Sequence, residues 1–205
     1  MPIDTPRCDL TTDSGPFDIV GDVHGCSDEL DELLQRLGYV RDGTGLWGHP
    51  GARTVVFLGD LVDRGPRIAD TLRTAMRMVE AGRALCVTGN HELKLRRKLA
   101  GFDIPVAHGL DRSLAELDDG TRQFPVPFAW VAGYAGGAAV VYGHTPVREP
   151  LWVNRTINID TGCVLGHRLT ALRWPEEELV AVAARRQYSM PSRPLRDERR
   201  RSIPD

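Results

Sequence analysis

An α/β fold is predicted by two features of the sequence. Short apolar runs alternate with segments whose leucines and isoleucines recur at helical spacing. Each of the first three apolar runs also ends in a glycine-flanked polar segment, as where a buried strand delivers a loop to the open end of a sheet. No internal repeat competes with this reading. Residues 17–20 form the first strand, ending at Gly21. Ser27 caps a helix with Leu30, Leu33, Leu34 and Leu37 on one face and Gly38 as its stop. Residues 53–58 are a second strand, 68–81 a helix ended by Gly82, 84–88 a third strand and 91–99 another helix. From 101 to 137 the signal weakens: 111–117 suits a short helix, then Pro125 and Pro127 punctuate an irregular stretch. Residues 138–142, 156–159, 168–172 and 179–183 read as four further strands.

The chain has 205 residues, 41% hydrophobic and 26% charged, which fits one globular domain with a core of its own. The apolar runs are too short to span a bilayer. The N-terminus lacks a basic segment followed by an apolar one, so the expected location is cytoplasmic, with no membrane partner. The net charge of −2 makes no demand for nucleic acid. Cys8, Cys26, Cys86 and Cys163 form no Cys-x-x-Cys pair and are read as reduced thiols. Residues 1–16 are expected to be a loose leader and 17–184 the domain. Residues 185–205, with seven arginines and three acids, are expected to be a basic, mostly disordered tail offering a contact for RNA or another polyanion.

Four segments carry the chemistry: Gly21-Asp22-Val23-His24-Gly25, Gly59-Asp60-Leu61-Val62-Asp63-Arg64-Gly65, Gly89-Asn90-His91-Glu92 and Gly143-His144-Thr145-Pro146. Taken singly, a Gly-Asp after a strand is ordinarily a turn, and one histidine is ordinarily a packed or exposed imidazole. Three such segments in order, each at a strand end, are not explained that way. Their Asp, His and Asn side chains are hard and borderline ligands without a thiolate, suited to Mn, Fe, Zn or Ni. Ligands from separate strand ends suggest two divalent ions sharing a carboxylate and clamping a phosphoryl group. Such a pair would outweigh Asp22, Asp60 and a bridging hydroxide. The remaining positive charge, with Arg64, suits a phosphate oxyanion.

These motifs resemble the calcineurin-like metallophosphoesterases, in the phosphoprotein-phosphatase-like branch. The closer resemblance is to the phosphatase domain of bacterial polynucleotide kinase-phosphatases of RNA repair, with the asymmetrical diadenosine tetraphosphatases as relatives. Beyond the four motifs it rests on the Trp152-Val153-Asn154 and Thr156-Ile157-Asn158-Ile159-Asp160-Thr161-Gly162-Cys163 segments, and covers roughly residues 17–195. It implies a four-layer αββα sandwich and a metal-dependent phosphoesterase working by in-line attack of metal-bound hydroxide. Asp22 and His24 would hold the first ion, Asp60 would bridge, and Asn90 and His144 would hold the second, with Mn favoured. Arg64, with Asn90, would grip the phosphate. His91 would be the general acid, oriented by Asp63. The implied substrate is a nucleotide or RNA end. A phosphoprotein or dinucleoside tetraphosphate comes next, and a degenerate, non-catalytic binder of phosphate, RNA or protein is the reading from another class.

The sequence departs from this family at one place. A further metal-binding histidine, expected between the third and fourth motifs, has no counterpart in the 53 residues between Asn90 and His144. The junction between Phe128 and Ala129 marks an internal deletion that reduces one sheet. The second ion is expected to bind more weakly, and an exposed sheet edge would invite a homodimer. His108 and His167 are poorer substitutes, His49 is read as structural, and Asp160 as ordering its own turn.

Overall fold

The computed structural model describes residues 15–117, 138–191 and 195. Its elements in chain order are β1 (Phe17–Val20), α1 (Ser27–Arg36), β2 (Val40–Arg41), β3 (Trp47–Gly48), β4 (Thr54–Phe57), α2 (Ile68–Glu80) and β5 (Ala84–Cys86). They continue with α3 (Asn90–Leu99), α4 (Leu110–Glu116), β6 (Val140–Tyr142), β7 (Trp152–Val153), β8 (Thr156–Asn158), a 3-10 turn (Cys163–Leu165), β9 (Arg168–Trp174) and β10 (Glu178–Ala183). Every strand and helix predicted within these residues is present. The expected leader through residue 14, the two prolines and the deletion junction lie outside the described residues.

β1, β4 and β5 run parallel, and β9 joins β1 antiparallel, giving a five-stranded sheet in the order β10-β9-β1-β4-β5. A second sheet has the order β6-β8-β7. The strand period of two sorts the apolar residues. Val20, Val55 and Phe57 meet Leu30, Leu33 and Leu34 of α1, Ile68 and Leu72 of α2 and Leu95 of α3 in the larger core. Ile19 instead joins Ile157, Ile159, Leu172, Leu58 and Val141 in a second, smaller core. This is the predicted α/β sandwich with one sheet reduced. Each fully buried aliphatic side chain contributes about 1.5–3 kcal/mol to holding the layers together. Among the described residues, no helix is long and apolar enough to cross a membrane.

Three details differ from expectation. The cap of α1 is Cys26, because its carbonyl already accepts the Leu30 N–H at 3.0 Å, and Ser27 is the first helical residue. The β2–β3 hairpin was not predicted, since strands of two residues have no period to read. Arg185, Tyr188 and Ser189, assigned to the loose tail, bond to the body: Arg185 N–H to Glu29 at 2.9 Å, and the Tyr188 and Ser189 N–H groups to Val164 O at 3.0 and 2.9 Å.

β1 also carries a buried charge. Asp18 is fully buried and accepts hydrogen bonds from Tyr39 Oη at 3.0 Å, Arg53 Nε at 2.9 Å and Arg173 Nε at 3.2 Å. Removing Asp18 takes away the one buried counter-charge of Arg53 and Arg173, which then keep only the exposed Glu176 and Glu178. Asp18→Ala is therefore expected to lower folding stability by about 3 kcal/mol, read as a shift of the urea midpoint.

Candidate functional site

The polar motifs follow the carboxyl ends of β1, β4, β5 and β6, so both sheets deliver their loops to one place. His24 N–H donates to Asp60 O at 2.8 Å and Gly25 N–H to Leu61 O at 2.8 Å, which joins the first two loops. The Asp22 carboxylate accepts the His144 N–H at 3.0 and 3.2 Å, which brings in the fourth. Asp60 Oδ1 accepts the His91 N–H at 3.1 Å, which brings in the third. These approaches need glycine. A Cβ on Gly89 would stand 2.1 Å from Asp60 Oδ1, and one on Gly143 would stand 2.0 Å from Asp22 Oδ1.

The side chains are also held in strained backbone. His24 (φ +46°), Asp60 (+49°), Asp63 (+70°), Arg64 (+67°) and His144 (+76°) all occupy the left-handed region that non-glycine residues avoid, at a cost on the order of 1 kcal/mol each.

Tautomers follow from the hydrogen bonds. Arg64 Nη1 lies 2.9 Å from His24 Nε2, and Nη2 lies 3.0 Å from His91 Nε2. A guanidinium only donates, so both Nε2 atoms accept and both protons sit on Nδ1. His24 Nδ1–H then donates to Val62 O at 2.7 Å, and His91 Nδ1–H to Asp63 Oδ2 at 2.6 Å. The rings of His24 and His91 meet edge to face, 4.7 Å between centroids.

Two further residues complete this frame and had no role assigned from sequence. Ser113 of α4 accepts the Asp63 N–H at 3.0 Å and donates to Asp63 Oδ1, fixing the carboxylate that holds His91. Glu92 is fully buried. Its Oε1 accepts Leu61 and Val62 N–H at 2.7 and 3.1 Å, and its Oε2 accepts Asp60 and Gly89 N–H at 2.8 Å each. Glu92 was legible as the last residue of a motif, but nothing in one sequence says that its partners lie some thirty residues away.

Burial and charge act together on the acids. Burial, then the charges of Asp160 and Asp60, raises the Asp22 carboxyl well above its usual range. Burial would do the same to Asp60, but His144, the neighbouring imidazoles and the His91 N–H outweigh it and hold Asp60 low. Asp160 is pushed up to about 6, first by burial and, against its bond from Gly162 N–H, by Asp60. It orders its own turn, as expected, and also belongs to this charge cluster. Burial, then Arg64, holds His24 at about 3, so it is neutral. Contact with Asp60 raises His144. Crowded buried carboxylates beside a neutral imidazole with its lone pair turned inward form a donor set that divalent cations fit.

The predicted residues are gathered unequally. His24 and Asp60 have ligand atoms within 4.8 Å of one another, and the third member of that set is His91 rather than Asp22. His144 Nδ1 is 3.6 Å from Asp60 Oδ2, with its side chain 66% exposed. Asn90 is exposed in the first turn of α3. His108 and His167 are exposed and outside the set. His49 is structural, accepting Gly51 N–H at 2.9 Å and stacking edge-on with Tyr39.

Two substitutions test this frame. Glu92→Gln turns an NH₂ group toward two backbone N–H donors. It is expected to cost about 2–4 kcal/mol, measured by urea unfolding. Asp160→Asn keeps an acceptor for Gly162 N–H and removes a charge. The raised carboxyl binds its proton more tightly folded than unfolded, so the wild type loses stability as pH rises from about 4 through about 6. In chelator-treated protein, Asp160→Asn should therefore raise the melting temperature at pH 7.5 and change it little at pH 4.5.

The chain is similar in sequence and fold to known proteins. A family model described as calcineurin-like phosphoesterase matches residues 15–177. The asymmetrical bis(5′-nucleosyl)-tetraphosphatase PrpE of Bacillus velezensis is 37% identical over 236 positions, covering 84% of this chain and 94% of the relative. The PrpE of Bacillus subtilis is 36% identical, covering 84% and 96%. Since 84% of 205 residues is about 172, about 64 of the 236 aligned positions face no residue here, which agrees with a block missing from this chain. For the fold alone, a solved structure provisionally assigned as a diadenosine tetraphosphatase superposes with a TM-score of 0.56 at 24% identity, covering 83% of this chain and 94% of that one. A variant of a cold-active protein tyrosine phosphatase gives 0.51 at 17%, covering 84% and 81%. The chain belongs to the calcineurin-like metallophosphoesterases.

Proposed function

We propose that this phosphoesterase hydrolyses phosphate bonds of nucleotides, with dinucleoside tetraphosphates as the leading substrates. The kinship to PrpE-type relatives supports the substrate class. The observation that carries the chemistry is the fork of Arg64 between two imidazole Nε2 atoms, one of them backed by Asp63 and Ser113.

Asp22, His24 and Asp60 would hold one divalent ion, and Asp60, Asn90 and His144 a second, with manganese favoured by the oxygen-rich set. Ions there would supply Lewis acidity toward a phosphoryl oxygen and would acidify water. Arg64 has the planar fork that pairs with phosphate oxygens. It cannot bind phosphate and both imidazoles in the same pose, so a bound phosphate draws the guanidinium away and frees both Nε2 atoms. His24 Nε2 is then available as a ligand. His91 Nε2 can take up a proton and deliver it to the leaving oxygen, while Asp63 stabilises the ring through Nδ1–H. A nucleotide leaving group is a good one and needs this proton less than an alkoxide does. An anhydride substrate therefore suits a site whose second ligand set is thin.

RNA-end phosphates are the second reading, favoured by the resemblance to RNA-repair phosphatases and by seven arginines in residues 185–205. The test is Mn²⁺-dependent turnover of diadenosine tetraphosphate, an RNA ending in a 2′,3′-cyclic phosphate, and p-nitrophenyl phosphate, with Asp60→Asn as control. Preferential turnover of diadenosine tetraphosphate, lost in Asp60→Asn, is the expected result. Preference for the RNA transfers the assignment to the second reading, and no turnover above the control in folded protein favours a non-catalytic binder. In the active enzyme, His91→Ala should cut hydrolysis of an alkyl phosphate by about 10²–10⁴-fold and affect p-nitrophenyl phosphate and the dinucleotide far less. Equal losses on all three would argue against a general acid.

A further inference from the structure

The described residues contain a second group of potential ligands that the phosphoesterase centre does not use. Cys26 caps α1, Glu29 lies one turn further along it, and Cys163 opens the 3-10 turn after Asp160. All three are buried, and their ligand atoms lie within 4.8 Å of one another. Glu29 Oε1 is satisfied by the Arg185 N–H at 2.9 Å and the Tyr188 O–H at 2.7 Å. Glu29 Oε2 is buried and has no hydrogen-bond partner, alone in this among buried side-chain polar atoms of the described residues. Such an atom calls for an explanation, since a desolvated carboxylate oxygen without a partner is costly.

A Cys26–Cys163 disulfide would leave Oε2 as it is. A cation would account for the orphaned oxygen and for the two converging sulfurs together. We infer that Cys26, Glu29 and Cys163 form a separate metal site of zinc-binding chemistry, adjoining the phosphoesterase centre. Cys26, Glu29 and Cys163 would supply three of the four ligands of tetrahedral zinc and a water the fourth, with sulfur and oxygen donors about 3.5–3.8 Å apart, within small side-chain adjustments of the observed cluster. Binding releases the two thiol protons to solvent. Soft sulfur donors select zinc over manganese, whereas the Asp, His and Asn set of the first centre has no thiolate, so the two sites sort different ions. The role is structural. The ion ties the loop after His24 to the turn after Asp160, and through Glu29 to Arg185 and Tyr188.

Cobalt(II) tests this with a signal the first centre cannot give. The reduced full-length protein, titrated with Co²⁺, should show thiolate-to-cobalt charge-transfer absorption in the near ultraviolet. Asp60→Asn should keep that band. Cys163→Ser, checked by circular dichroism to be folded, should lose it. Glu29→Gln retains both thiols and should weaken cobalt binding at least ~10-fold, by comparison with the loss of a group that only supports a ligand. Absence of a thiolate band in the wild type at saturating Co²⁺ would overturn the proposal. So would a band that persists when Cys26 and Cys163 are both serine, since it would then come from Cys8 or Cys86.

Discussion

Four backbone N–H groups end on the carboxylate of Glu92, and the geometry of the centre hangs from that contact. Three of the donors belong to the turn after β4 and one to the residue preceding α3. The side chain thus sets the register between two loops far apart in sequence. Asp60, Asp63 and Arg64 depend from one side of the clamp and His91 from the other. A carboxylate buried this deeply prefers a proton, and burial does raise Glu92. The four donors oppose that shift, and each would be an unsatisfied buried amide without it. An uncharged side chain of similar size has too few acceptors to replace it.

The clamp also accounts for backbone strain that would otherwise relax. Five chemistry-bearing residues sit at positive φ. Isolated loops would leave those conformations for easier ones. Here each is tied to another segment: His24 N–H to Asp60 O, Asp60 N–H to Glu92, Asp63 N–H to Ser113, Arg64 O to the Arg112 guanidinium, and His144 N–H to Asp22. The motif glycines of the third and fourth loops serve the same end from the opposite side. The carboxylates of Asp60 and Asp22 press against them closely enough to exclude any side chain. What a sequence shows as a glycine beside a polar residue is, in space, a glycine against a carboxylate from a different motif.

That distinction marks the limit of what could be read beforehand. Strands and helices were legible because apolar spacing is local, and the motif loops because they follow strand ends. Trp47 and Trp152 lie in two-residue strands, too short for a period to register, although Trp47 is almost fully buried. Ser113 looked like an ordinary helical serine, because its partner Asp63 is fifty residues earlier. Cys26 and Cys163 gave no metal-like spacing, since the fold alone brings them together. Asp160 orders its own turn through the Gly162 N–H, which is local and so legible. Its place beside Asp22 and Asp60 needed both sheets, because β8 and β1 belong to different ones.

The inequality between the two proposed ligand sets has a physical reading in charge. Asp22, Asp60 and Asp160 are buried acids beside the first ligand set, and Asp63 and Glu92 are buried next to them, with Arg64 as the nearby fixed cation and His24 neutral. Asp63 is committed to the His91 imidazole and Glu92 to four backbone N–H groups, so Asp22, Asp60 and Asp160 are the acids left to favour a first ion. A second ion would share Asp60 with the first, and its other side-chain ligands, Asn90 and His144, are exposed. A phosphate dianion would add negative charge where that second set is poor in it. On the proposed assignment, the missing block would take a ligand from the set that is already thin. A polyphosphate, which carries more charge than a single ester, is the kind of substrate best able to make up for the loss.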